Sequence, residues 1–295
     1  MSYREEQILT LAGVNISNKN TDELLALYNK LFKPGMHGLC FSSYTEGQEP
    51  GSQITEDQIK RRMEIIKPYT KWVRSFSCTD GNETIPRIAH EHGLKTLAGA
   101  WLGRDKNKNK KEIANIIKIA KEGYADIVAV GNEVLYRGDL AEDELLEYIY
   151  QVKKELPNVP VGYVDAYYEF ANRPKIAEAS DVILANCYPF WEGCSQEYSL
   201  LYMKDMYNRA LKAANGKKVI ITETGWPNRG EKFYGSQPSL ENALKYFINT
   251  QIWSKEDDID IFYFSSFDES WKADNEGDVG AFWGIWDKDE KLKYQ

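Results

Sequence analysis

The chain has 295 residues, of which 42% are hydrophobic and 13% aromatic. That is enough apolar material for a sizeable core and excludes a disordered chain. Its 37 basic and 45 acidic side chains leave a formal net charge of −8; such a surface repels phosphate backbones, so no nucleic-acid partner is expected. No stretch approaches the roughly 20 apolar residues that span a bilayer, so no membrane span is expected.

In chain order, the opening residues read as a weakly ordered arm. Met1-Ser-Tyr-Arg-Glu-Glu6 has no charged-then-apolar leader pattern. The compartment stays open between an intracellular protein and a secreted or periplasmic one whose leader has been removed. A helix is expected over 22–32, with Asn20 as its N-cap and Pro34-Gly35 as its stop. Short apolar runs then alternate with amphipathic stretches. The expected strands are 38–42, 72–77, 95–100, 127–131, 161–164, 182–187, 219–222 and 261–265. They are near-continuously apolar, as strands buried on both faces should be. The expected helices between them are 56–67, 83–92, 110–122, 142–155, 174–178, 200–214 and 239–254. Over 142–155, Leu145, Leu146, Ile149 and Val152 form one apolar stripe. The polar run 104–111 reads as a solvated loop.

Eight β-α rounds in about 260 residues predict an α/β fold, a single (β/α)8 TIM barrel with a short N-terminal helical extension. Residues 1–36 would be the arm and helix packing on the barrel, and 37–295 the barrel itself. An open doubly wound sheet would want a Gly-rich phosphate turn after the first strand, and Phe41-Ser-Ser-Tyr-Thr45 is not one. Cys40, Cys78, Cys187 and Cys194 contain no C-x-x-C and read as buried free thiols, with a Cys187–Cys194 bridge left open. His90-Glu-His92 lacks the one-turn spacing of a helical zinc pair. Neither metal nor organic cofactor is expected.

In such a barrel the active site lies at the C-terminal strand ends. The residues there are Arg74, Asn132-Glu133, Asp165, Asn186-Cys-Tyr188, Glu223-Thr-Gly-Trp226 and Asp268-Glu269-Ser-Trp271-Lys272. A rim rich in carboxylates and aromatics suits glycoside hydrolysis, which needs one carboxyl to protonate the leaving oxygen and another to attack or shield the sugar cation. Glu133 and Glu223, on the fourth and seventh strands, would face each other across the mouth. A non-catalytic sugar-binding barrel is one rival. A metabolic barrel binding a phosphorylated molecule is another, and Glu223, Asp268 and Glu269 would repel its anion.

The motifs Val130-Gly-Asn-Glu133, Thr222-Glu-Thr-Gly-Trp-Pro227 and Phe267-Asp-Glu-Ser-Trp-Lys272 resemble glycoside hydrolase family 17, the β-1,3-glucanases, in its microbial form. Gly38-Leu-Cys-Phe-Ser-Ser-Tyr44, Val73-Arg-Ser-Phe76, Asn186-Cys-Tyr-Pro-Phe-Trp191 and Phe282-Trp-Gly-Ile285 extend the resemblance from about residue 38 to the end. The resemblance implies a retaining hydrolase cleaving β-1,3-glucosidic bonds in laminarin-like β-glucan. Glu133 would be the acid/base, Glu223 the nucleophile, and Asn132 the partner of the sugar 2-hydroxyl. Arg74 and Tyr188 would hydrogen-bond the nucleophile, and Glu269, Lys272 and Glu276 would form a supporting charged cluster. Tyr44 and Asp165 join them as binding or supporting residues. Trp101, Tyr136, Tyr168, Trp191, Trp226, Phe233 and Trp271 are candidates to stack sugar faces. The alternative reading is a β-1,3-glucan transglycosylase with the same two glutamates, its acceptor favoured by Phe233-Tyr234. A monomer is expected.

Overall fold

The computed structural model describes residues 13–295, so the expected N-terminal arm falls mostly outside the described residues. Eight parallel strands close a barrel in chain order, and each βα unit returns the chain to the adjacent strand. The strands are β1 (Met36–Cys40), β2 (Thr70–Arg74), β3 (Lys95–Ala100), β4 (Ile127–Asn132), β5 (Val161–Ala166), β6 (Ile183–Asn186), β7 (Val219–Thr224) and β8 (Ile261–Tyr263). Closure brings β1 against β8, with Gly38 opposite Phe262. A Cβ at Gly38 would meet the Phe262 ring at 2.5 Å, so the seam closes only around glycine.

The outer layer holds α1 (Thr21–Phe32), α2 (Glu56–Ile66), α3 (Ile85–Glu91), α4 (Lys106–Lys121), α5 (Glu142–Glu155), the short α6 (Glu169–Asn172) and α7 (Pro174–Ala179), α8 (Ser199–Ala213), and α9 (Leu240–Glu256), with α10 (Ala273–Glu276) after β8. Asn20 starts α1 through a capping box: its side chain accepts from Glu23 N at 3.0 Å, and Glu23 returns the bond to Asn20 N at 2.9 Å. Leu24, Tyr28 and Phe32 recur every four residues and are buried. Tyr28 packs on Phe247 of α9, and Phe32 stacks on Tyr69 at 4.3 Å between ring centroids. No long helix follows β8 among the described residues, and α1 packs along α9, with its rings also against Tyr69, Trp286 and Tyr294.

Most expected elements recur with small shifts. β1 and β2 begin and end two or three residues earlier than expected. Past Cys40 the backbone leaves the ladder, and Ser42 N donates to the Ser266 side chain instead. The run 104–111 needs correction: α4 begins at Lys106, inside the expected loop. Asp105 caps it by accepting from Asn107 N and Lys108 N, so a lysine-rich stretch without an apolar stripe still forms the first turns. All four cysteines are buried free thiols. Among the described residues no helix is long and apolar enough to cross a membrane.

Candidate active site

At the C-terminal mouth of the barrel lies a cleft of about 470 Å³. Glu133, Glu223 and Asn132 form its floor, with Trp101, Tyr44 and Trp271 among its walls.

Glu133 owes its direction to an irregular strand end. The β4–β5 register shifts between Ala129 and Asn132, Gly131 takes φ +87°, and Glu133 itself takes φ +52°. A left-handed conformation costs a non-glycine residue about 1–2 kcal/mol, so neighbours must hold it. Glu133 N donates to Val164 O at 2.8 Å, Arg137 N donates to Glu133 O at 2.9 Å, and Arg137 Nη1 donates to Asn132 O at 2.7 Å. Such bulges re-aim side chains at barrel rims.

Glu223, on β7, is almost fully buried and receives three side chains: Arg74 of β2, Asn186 of β6 and Tyr188 of the loop after β6. Arg74 of β2 is 1% exposed and reaches across the barrel. Its Nη1 donates to Glu223 Oε1 at 2.5 Å and to Thr222 O at 3.1 Å, and its Nη2 donates to Asn132 Oδ1 at 2.6 Å. The Tyr188 hydroxyl donates to Glu223 Oε2 at 2.7 Å. Burial, reinforced by the Glu223 charge, pushes that hydroxyl well above the usual tyrosine range and keeps it a donor. With its Oδ1 occupied by Arg74, Asn132 has its amide N–H groups left for a ligand.

Asn186, at the end of β6, joins the two carboxylates. Its Nδ2 donates to Glu133 Oε1 at 2.8 Å and to Glu223 Oε1 at 3.1 Å, while Thr222 Oγ1 donates to its Oδ1 at 2.9 Å and fixes the amide's orientation. Two oxygens sharing one nitrogen cannot stand further apart than the two bonds laid end to end, about 6 Å, below the roughly 6.5–9.5 Å of inverting glycosidases. Burial first, and the Glu223 charge second, push the Glu133 carboxyl up to about 7, against the opposing Asn186 hydrogen bond.

The remaining expected residues separate into two groups. Beside the carboxylates, Lys272 Nζ pairs with Glu269 Oε2 at 2.7 Å, and Glu269 Oε1 accepts from Tyr44 N at 3.1 Å. Burial, then the Glu223 and Glu269 charges opposed by Lys272, push Glu276 up to about 7. Tyr44 meets Trp271 edge-on at 5.9 Å. Arg137 lies 4.7 Å over the Trp101 ring. Outside the cleft lining stand Tyr168, edge-on to Tyr167, and Trp191, packed against Phe190, Phe233 and Trp283. Asp165 is fully buried and faces the loop after β4 instead of the cleft. Trp226 corrects the expectation of a stacking platform. It is 1% exposed, packs on Phe190 and Tyr246, and donates its indole N–H to Gln237 O, so no sugar can reach its face. Tyr136 is 61% exposed on the rim.

Two supports had no role assigned from sequence. Asn186 stood at an expected strand end and within a motif without a function of its own. Glu112 of α4 is buried and accepts from Cys78 N at 2.7 Å and Trp101 N at 3.1 Å, tying the loops after β2 and β3 together. Within Lys110-Lys-Glu112 nothing distinguishes it from a solvated helix residue.

Residues 38–284 match the BtgE/BtgC glycoside hydrolase domain. A glucan 1,3-beta-glucosidase of Candida albicans is 30% identical over 262 residues, covering 79% of this chain and 83% of the relative. One of Saccharomyces cerevisiae is 25% identical over 285 residues, covering 87% of this chain and 90% of the relative. Among solved structures, a glycoside hydrolase family 17 beta-1,3-glucanosyltransferase from Rhizomucor miehei is similar at a TM-score of 0.78 and 30% identity, over 90% of this chain and 96% of that one.

Proposed function

The chain belongs to the BtgE/BtgC glycoside hydrolase domain family, and from that premise we propose that it is a retaining enzyme of glycoside hydrolase family 17 acting on β-1,3-linked glucan. The observation that carries the reading is the Asn186 amide shared by Glu133 and Glu223, which holds their facing oxygens closer than the roughly 6.5–9.5 Å of inverting enzymes. The names of the relatives support β-1,3-glucan as substrate.

In this reading Glu133, with its carboxyl raised to about 7, arrives protonated near neutral pH and donates to the glycosidic oxygen. Glu223, oriented by Arg74 and Tyr188, attacks the anomeric carbon and forms a glycosyl ester as the glycosidic bond breaks. The Asn132 amide donates to the 2-hydroxyl, where such bonds strengthen in the transition state. Esterification removes the Glu223 charge that helps raise Glu133. The Glu133 carboxyl, left as carboxylate by the first step, thereby becomes suited to take a proton from water, which attacks the ester and frees the sugar. The second inversion at the anomeric carbon restores its configuration.

Glu223→Gly tested with an activated β-glucoside and azide should yield the α-azide, and Glu133→Ala the β-azide. An unchanged hydrolysis rate in Glu223→Gly rejects the assignment. Initial release of the α anomer from laminarin, followed by NMR, rejects retention.

A second reading, transfer to a sugar hydroxyl instead of water, draws on the Rhizomucor miehei relative and on Tyr234, which stands 81% exposed beside Phe233 and can offer an acceptor a ring face. Products longer than the substrate at high oligosaccharide concentration support it; their complete absence rejects it.

A further inference from the structure

Strand β5 holds the backbone that follows Glu133 through three consecutive residues. Val164 O accepts from Glu133 N at 2.8 Å. The Tyr163 hydroxyl accepts from Leu135 N at 3.0 Å, and Asp165 Oδ2 accepts from Tyr136 N at 3.4 Å. Tyr163 and Asp165, two apart on a strand, point to one face. They are joined by a hydrogen bond from the Tyr163 hydroxyl to Asp165 Oδ2. The other Asp165 oxygen accepts from Ala166 N at 2.8 Å. Both residues are fully buried, and neither borders the cleft. A buried carboxylate that touches no ligand surface, and whose outward bonds run to the loop bearing a left-handed glutamate, is costly to keep without a task.

We infer that Tyr163 and Asp165 form a positioning pair for the acid/base carboxyl: through the peptide N–H groups of Leu135 and Tyr136 they lock the turn that aims Glu133 at the leaving oxygen. The inference rests on Glu133 being the acid/base. It is independent of the nucleophile assignment, because no bond of the pair reaches Glu223. Asp165 also acts through charge. The charged groups facing Glu133 are Glu223 from β7, Asp165 from β5 and Arg137 from its own loop, while Asn186 of β6 brings a neutral amide. Glu169 of α6 is the further charged group facing Asp165. Removing the Asp165 charge should therefore ease ionisation of Glu133.

The test compares Tyr163→Phe and Asp165→Asn, both near-isosteric, with Glu133→Ala as reference, on laminarin and on an aryl glucoside whose leaving group needs no protonation. On laminarin, kcat should fall about 10- to 100-fold, as expected for a displaced catalytic group, with KM nearly constant. On the activated glycoside the loss in the glycosylation step, read from kcat/KM, should largely vanish, as it should in Glu133→Ala. The basic limb of kcat/KM in Asp165→Asn should move to lower pH. A structural defect would lower both substrates alike and leave the limb in place, which overturns the inference. So does native-like activity of both variants while Glu133→Ala is impaired. Full laminarin activity in Glu133→Ala instead removes the acid/base reading, and the positioning role with it.

Discussion

Replacing Glu223 by Gln should release part of the proton held on Glu133, even though Glu133 is untouched. The facing oxygens lie within about 6 Å, and two unit charges at that separation in an effective dielectric of about 20 interact by about 2.8 kcal/mol, or about two pH units. Burial, the larger cause, survives the substitution, so the Glu133 pKa should fall from about 7 by about one to two units without returning to the ordinary glutamate value. Arg74, deprived of its carboxylate partner, pushes in the same direction. Titrating carboxyl-¹³C-glutamate protein by NMR, with Glu133→Gln to assign the resonance, reads this without needing activity. An unmoved Glu133 resonance in Glu223→Gln, or a native Glu133 titrating near 4.5, refutes the electrostatic coupling on which the acid-to-base switch depends.

Other outcomes follow from the same geometry. Because its folded pKa is raised from 4.5 to about 7, Glu133 supports stability fully below about 4.5 and withdraws that support as pH rises through 7. Urea unfolding of Glu133→Gln should therefore match native at pH 4 and exceed it at pH 8, by up to about 3 kcal/mol; equal stabilities at pH 8 contradict this. Asn186→Ala removes a hydrogen bond shared by both carboxylates and should cost about 10²-fold in kcat on laminarin, as removal of one site-orienting donor commonly does. Trp226→Ala should destabilise by about 3–5 kcal/mol in denaturant unfolding, as core truncations do. Trp101→Ala should instead raise KM for laminarin with little loss of stability, and a reversal of this pair would restore Trp226 as a sugar platform.

The barrel was legible because its signal is local. Eight apolar runs separated by amphipathic stretches force parallel strands with crossover helices, and closure then puts the fourth and seventh strands across from each other. The cap at Asn20 and the stripe of Leu145, Leu146, Ile149 and Val152 were equally readable. The start of α4 was not, because a lysine run carries no apolar period and its helix depends on one cap at Asp105. The aromatics at strand ends were the least readable. Sequence position says that a ring is near the mouth, but only packing says whether it faces the cleft, as Trp101 does, or the interior, as Trp226 does.

What the sequence determined by itself was the order of strands and helices, and the presence of two glutamates at opposed strand ends, since both follow from residue type and spacing along the chain. Tertiary structure alone decided the rest: that one Asn186 amide binds both carboxylates, that Arg74 spans the barrel between Glu223 and Asn132, and that Tyr163 and Asp165 stand behind Glu133. Hydrogen bonds fall off within a few tenths of an ångström, and these partners lie between 28 and 149 positions apart in the chain, so no local pattern encodes their distances.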